Sequence, residues 1–236
     1  QLNVGGLLNK NGTSSDGGTT YNLAAADNWL AGAAASADIS DASSNGITVS
    51  NVANPTLSSA AYNATSGVLT VTGTNFVKEN GSNNDIDISK LSITGEGGSS
   101  YTLTSSDVEV GSSTTFSVTL NAADQLNVGG LLNKNGTSSD GGTTYNLAAA
   151  DNWVAGAAAS ADISDTSGNG ITVSNVANPT LSSAAFNASS GELTVTGTNF
   201  VKENGSNNDI DVSKLSITGD GISGLKVELY EGKNFN

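Results

Sequence analysis

An all-β fold with short helices, built of tandem antiparallel β-sandwich repeats, is predicted by three observations on the sequence. The first is an internal repeat: QLNVGGLLNKNGTSSDGGTTYNLAAADNW begins at Gln1 and recurs at Gln125, a period of 124 residues. Over residues 1–100 and 125–224 the two copies differ at ten positions, among them Leu30/Val154, Tyr62/Phe186, Val68/Glu192 and Ile88/Val212. The second is alternation, plainest in Gly67-Val-Leu-Thr-Val-Thr-Gly73, where Leu69 and Val71 share one face and Val68, Thr70 and Thr72 the other. The third is composition: 29 Gly with many Ser, Thr and Asn surround Val, Ile and Leu, the turn formers and strand formers that many short strands need.

A period of 124 is too long for a solenoid unit and matches a whole domain, so the repeats are expected in series. The segment Asn45 to Leu57 recurs at Asn169 to Leu181 and reads as a last strand, a stiff Asn-Pro link and a new first strand, because the residue before proline favours extended backbone. On this phasing residues 1–54 are the C-terminal part of one repeat, 55–178 one complete repeat, and 179–236 the N-terminal part of the next with a divergent C-terminal strand. Gln1 in place of an initiator Met reads as the mark of a fragment or processed product.

Within the complete repeat, strands are expected near Leu57 to Asn63, Val68 to Thr72, Asn75 to Lys78, Asp85 to Thr94, Tyr101 to Thr104, Asp107 to Val110 and Thr115 to Leu120. Asn121 is a candidate N-cap for a short helix through Leu132, weakened by Gly129 and Gly130. A second short helix is expected at Ala148 to Gly156 and a last strand at Gly170 to Val176. Seven or more short strands at this spacing indicate a sandwich of immunoglobulin-like type.

Composition removes most chemistry. The chain has no His, Cys, Met or Arg. Imidazole bases, thiolate nucleophiles, zinc–thiolate clusters and disulfides are excluded with them. A net charge of -14 opposes nucleic acid and anionic membranes as partners, and no run of about 18 apolar residues offers membrane insertion. No nucleophile elbow, phosphate loop or dinucleotide fingerprint is present, so the chain is not expected to be an enzyme.

Carboxylates are the abundant functional groups, and hard oxygen-ligated cations are what they would take. Two clusters per repeat stand out. Asp38 and Asp41 flank Ile-Ser before the Asn45-Gly46 turn, with Asp162 and Asp165 as their equivalents. Asp85 and Asp87 follow two asparagines, with Asp209 and Asp211 as theirs, and extended backbone would put both on one face as shared ligands. Ca2+ is the expected cofactor of these eight residues; the alternative is solvated turns and caps on an acidic surface. Trp29 and Trp153 stand at equivalent positions and are expected to anchor a core rather than stack on a sugar, as are Tyr21/Tyr145 and Phe76/Phe200. Loss of the hydroxyl at Tyr62/Phe186 argues against a required hydrogen bond there.

The segments LTVTGTNFVK, NNDIDISKLSITGEGGSSYTLTSSDVEV, TTFSVTLNAAD and NGITVSNVANPTLSSA resemble the domain-length repeats of very large bacterial surface or secreted proteins, similar in plan to the stalks of RTX-type giant adhesins. The resemblance reaches about Ser223; beyond it, Val227 to Asn236 is similar to the opening strand of a βγ-crystallin motif, with Tyr230 and Phe235 at its aromatic spacing, the alternative being a strand that replaces the usual one. The resemblance implies an extracellular or cell-surface spacer of a bacterial adhesin or surface filament, whose partners are neighbouring repeats or other copies of the same chain. Two rival functions stand beside it. One is a filament or surface-layer subunit, joined head to tail by strand complementation between the half-repeats; the other is a carbohydrate-binding module with exposed aromatics.

Overall fold

The computed structural model describes residues 2–203, 209–220 and 222–226, and divides into two units, Gln1–Asn178 and Pro179–Asn236. In the first unit the strands of the complete repeat are β1 (Thr56–Asn63), β2 (Val68–Thr74), β3 (Leu91–Thr94), β4 (Ser100–Thr102), β5 (Val110–Ser112), β6 (Thr115–Thr119), β7 (Asn146–Ala149) and β8 (Gly170–Ser174). They form one hydrogen-bonded sheet in the order β4-β3-β7-β8-β1-β2-β6-β5. Every pairing is antiparallel except β1 with β8. That parallel pair joins two halves. On one side β1-β2-β6-β5 has the A-B-E-D order of an immunoglobulin sandwich, and on the other β8-β7-β3 has its G-F-C order with β4 added at the edge.

The sheet curls so that both halves face one core. Leu57, Leu69, Val71, Phe116 and Val118 from the first half and Ile93, Leu147, Ile171 and Val173 from the second belong to a single buried cluster. Alternation in the sequence is what permits this: in β2 the buried positions include Leu69 and Val71, while Thr72 and Thr74 face solvent. Trp153 lies at the centre, 5.5 Å and edge-on from Phe76 and 6.4 Å from Phe116, both arrangements that suit the ring quadrupoles.

Four expectations on secondary structure are corrected. Of Asp85 to Thr94 only Leu91–Thr94 is strand, Ile88–Lys90 being a one-turn 3-10 helix, and Asp107 to Val110 is reduced to a bridge at Val108 before β5. Asn75 to Lys78 is not a strand but a connecting segment. Ala148 to Gly156 is not a helix: Asn146–Ala149 is β7 and the rest is turn, because pairing with β3 and the buried Leu147 outweigh the helix preference of a short alanine run. The helix after Asn121 is present as Ala122–Leu131, α2, and the Asn121 side chain accepts from Asp124 N–H as its cap. Tyr145, just before β7, forms a tyrosine corner: its hydroxyl accepts from Lys134 N–H and donates to the Lys134 carbonyl, both at 3.1 Å.

Residues 1–54 keep the local structure of their counterparts without the strands that would cover them. The bridges Gly12↔Val49, Asn22↔Gly46 and Ala25↔Asp41 repeat Gly136↔Val173, Asn146↔Gly170 and Ala149↔Asp165. The second unit does the same for the other half. Its β9 (Thr180–Asn187) and β10 (Glu192–Thr198) pair in the register of β1 and β2, bulge included, and β11 (Ser216–Gly219) pairs with β12 (Ile222–Lys226) as β3 pairs with β4. The divergent sequence thus supplies a strand in the usual place up to Lys226; the crystallin-like segment Val227 to Asn236 lies outside the described residues.

Candidate functional site

Seven of the eight predicted carboxylates accept hydrogen bonds through their side chains. Asp38 accepts from Ser40 N–H and hydroxyl, Asp162 from those of Ser164, Asp87 from those of Ser89 and Asp211 from those of Ser213. Asp87 and Asp211 thereby cap one-turn 3-10 helices, Ile88–Lys90 and Val212–Lys214. The serine hydroxyl and amide hold Asp38, Asp162 and Asp211 below the usual carboxylate range, because both donors favour the ionised form. Asp165 accepts from Leu57 N–H at 3.0 Å and from the Asn169 amide at 2.8 Å, tying the turn before β8 to the start of β1. Asp41 pairs with Ala25 through its backbone.

Asp85 and Asp87, expected to share a ligand, have different partners. Asp85 is buried and bridges Glu79 N–H at 2.7 Å and Val110 N–H at 2.9 Å. Burial pushes its carboxyl up, and neighbouring Glu109 adds to the rise; Glu109 itself is held down by Lys78, 2.9 Å away. Asp209 accepts from Glu203 N–H in the same manner as Asp85 from Glu79. Among the described residues no three acidic side chains are gathered as a metal group would require.

Sequence reasoning passed over Asp124. It is buried and accepts from five donors: Tyr101 hydroxyl, and the amide and hydroxyl of both Thr104 and Ser105. Burial alone would raise its carboxyl, but the hydrogen bonds outweigh it and hold the group below the usual range. The only local signal was Asn121-x-x-Asp124, a helix-start pattern; the donors lie about 20 positions upstream. Glu96 does similar work at the other side of α2, accepting from Asn133 and Gly141 N–H, both at 2.9 Å.

The arrangement with most bearing on function is the joint between residues 1–54 and the complete repeat. Helix α1 (Leu2–Leu7) lays its glycines against Val77 and Lys78: a Cβ on Gly6 would stand 1.8 Å from the Lys78 carbonyl, and one on Gly5 2.8 Å from Val77 Cγ1. Gly156 approaches the same carbonyl, where its Cβ would stand at 2.9 Å. The glycines that weaken the helix are therefore those that let it come close. Asp16, paired with Lys10 at 2.9 Å, accepts from Ser160 N–H at 3.0 Å and hydroxyl at 2.9 Å. Lys10 and Ser160 together pull its carboxyl down to about 2. Asn9 donates to the Ala157 carbonyl, Asn54 to that of Asp162 and Asn75 to that of Asn54, and Pro55 of the link is buried.

No family model, curated protein or solved structure matches the chain. The reading therefore rests on the residues above. The pockets beside the joint are lined by Gly5, Val52, Ala53, Asn75 and Val77 and carry no carboxylate, so the acids and the concavities there do not coincide. Among the described residues no helix is long and apolar enough to cross a membrane.

Trp153 is fully buried, as expected of a core anchor, but Trp29 is 61% exposed. The two side chains keep the same local bond, from indole N–H to the carbonyl of Ile163 or Ile39. What differs is the half-sandwich that should lie over Trp29.

Proposed function

We propose that the protein is a structural spacer, a length of tandem immunoglobulin-like sandwiches that sets distance and direction in an extracellular bacterial adhesin or surface filament. One observation carries this reading: successive repeats meet in a built joint, with glycines closed on Val77 and Lys78 and a charged clasp at Asp16, rather than through a loose linker. A spacer gains from such a joint because each contact restricts bending without a long entropic tether. The acidic surface supports the same role. Residues 55–178 hold eleven acids against three lysines, so arrays repel one another and stay dispersed. Lack of Cys and Met removes the most readily oxidised side chains from a protein exposed outside the cell.

The deciding experiment pulls single molecules of the chain by its ends. A spacer is expected to resist and then release the complete repeat in one event, lengthening by about 40 nm for 124 residues at the reach of an extended chain. Gradual lengthening at low force would sink the reading. The carbohydrate-binding rival predicts retention on immobilised glycans; the spacer predicts none.

A further inference from the structure

The dipeptide Asn-Gly occurs six times, starting at Asn11, Asn45, Asn80, Asn135, Asn169 and Asn204, the last outside the described residues. Asparagine is thermolabile, and a following glycine obstructs its decay least, because the backbone turns freely where no Cβ stands in the way. The decay begins when the next amide nitrogen attacks the asparagine Cγ. It therefore needs a side chain free to turn and a glycine N–H free of a partner. Four of the five described pairs are held. Asn11 Oδ1 accepts from Val52 N–H and Gly12 N–H donates to the Val49 carbonyl, both at 2.9 Å; Asn135 and Gly136 do the same with Val176 and Val173, also at 2.9 Å. The Asn45 amide donates to the Leu23 carbonyl at 3.1 Å, and that of buried Asn169 to the Leu147 carbonyl at 3.2 Å and to Asp165 at 2.8 Å. Asn80 differs. Its bonds run through its backbone alone, from its N–H to the Glu79 carboxylate at 3.1 Å and from the Asn84 amide to its carbonyl at 3.0 Å. Among the described residues no partner holds its side chain or the Gly81 N–H, and both residues are exposed. Nor can the loop readily give up its glycine. Gly81 sits at φ +138°, and a Cβ there would stand 2.5 Å from Asn84 Nδ2.

The geometry points to Asn80 as a site of spontaneous covalent modification, deamidation through a cyclic imide. The Gly81 nitrogen forms a bond to Asn80 Cγ, its proton passes to the departing side-chain nitrogen, and ammonia leaves as the old C–N bond breaks. Water then adds to either carbonyl of the ring. Opening on one side gives aspartate, and on the other isoaspartate. Both products put a new carboxylate beside Glu79, whose N–H is bonded to buried Asp85 at 2.7 Å. Isoaspartate does more. The main chain then runs through the former side chain, lengthened by a carbon, and the carbonyl that takes the Asn84 amide becomes a free carboxylate. The loop that frames Asp85 is thus the part of the complete repeat that ages first.

This chemistry is independent of the spacer reading, which stands or falls on mechanical resistance of the complete repeat. Its test keeps the full native chain at mildly alkaline pH, well below its melting temperature, and follows conversion by mass spectrometry of tryptic peptides. Cleavage after Lys78 and Lys90 releases residues 79–90, told apart from the equivalent 203–214 by Ile88 against Val212. Asn80 should convert about tenfold faster than Asn11, Asn45, Asn135 or Asn169, the factor that an ordinary hydrogen bond imposes when it must open first. The product should include isoaspartate, read by isoaspartyl methyltransferase labelling. In urea the five sites should react at similar rates, since the bonds that protect four of them are gone. Asn80→Gln, at an exposed position, should remove the product in residues 79–90 and leave the other sites unchanged. Equal rates at the five sites in the native chain overturn the inference. So does an Asn80 that stays intact while the unfolded chain converts, or a product without isoaspartate.

Discussion

Asp124 shows how a single carboxylate holds together elements far apart in sequence. Its five donors come from the stretch 101–105, so it fixes α2 to the strand edge at β4. Asp124→Ala leaves buried amides and hydroxyls without acceptors; the expected loss is about 3 kcal/mol. For a domain of this size that corresponds to a fall of about 10 °C in melting temperature, read by calorimetry. The pH dependence has a definite sign. The carboxyl of Asp124 is lower in the folded state than in the unfolded chain, so its contribution is present above the unfolded value near 3.9 and is lost as pH falls through the folded value. Asp85 is the opposite case: raised by burial and by Glu109, it contributes below the unfolded value and that contribution fades as pH rises through the folded one. Asp124→Ala is therefore expected to flatten the acid side of the stability profile and Asp85→Asn the side above it, measured by urea unfolding across pH. Identical effects of the two substitutions would contradict this assignment.

At the scale of elements, pattern and repeat made most strands legible, and packing decided the rest. Val68 to Thr72 and Thr115 to Leu120 alternate cleanly and became β2 and β6; Asn121 announced α2. The Ala148 segment misled because alanine favours helix locally, and its strand exists through pairing with β3. The acid clusters were equally visible, but their local hydrogen bonds were not: in Asp38, Asp87, Asp162 and Asp211 one carboxylate oxygen accepts from the serine two residues on. The joint was hidden for a further reason. Gly129 and Gly130 read only as weakening their helix, and it is at the equivalent Gly5 and Gly6 that the approach of the Lys78 carbonyl shows why the missing side chains matter. Gly6→Leu should therefore part α1 from Val77 and Lys78 while leaving the complete repeat intact. The expected outcome is faster proteolysis within residues 1–54 and an unchanged melting transition for the remainder. Asp16→Ala should act in the same direction and more weakly, since its clasp is solvent-exposed and screened by salt.

For the whole molecule, charge is the dominant surface property: residues 1–54 carry four acids and one lysine, residues 55–178 eleven and three, and residues 179–236 seven and four, so every stretch is net negative. Like charges on one surface oppose the compact state, and salt screens that repulsion while leaving apolar burial in place. Raising ionic strength from low to physiological is therefore expected to raise the melting temperature of the complete repeat by a few degrees, read by calorimetry; a fall would show that ion pairs outweigh the repulsion. Calcium separates from simple screening in the same measurement. If the expected acid clusters take Ca2+, millimolar Ca2+ should stabilise or associate the chain beyond magnesium at equal concentration, and chelator should reverse it. Gly6 on Lys78 and Asp16 on Ser160 are contacts between protein groups, so a shift in melting temperature with Ca2+ would report the acid clusters rather than the joint, and Asp85→Asn or Asp162→Asn should then reduce it.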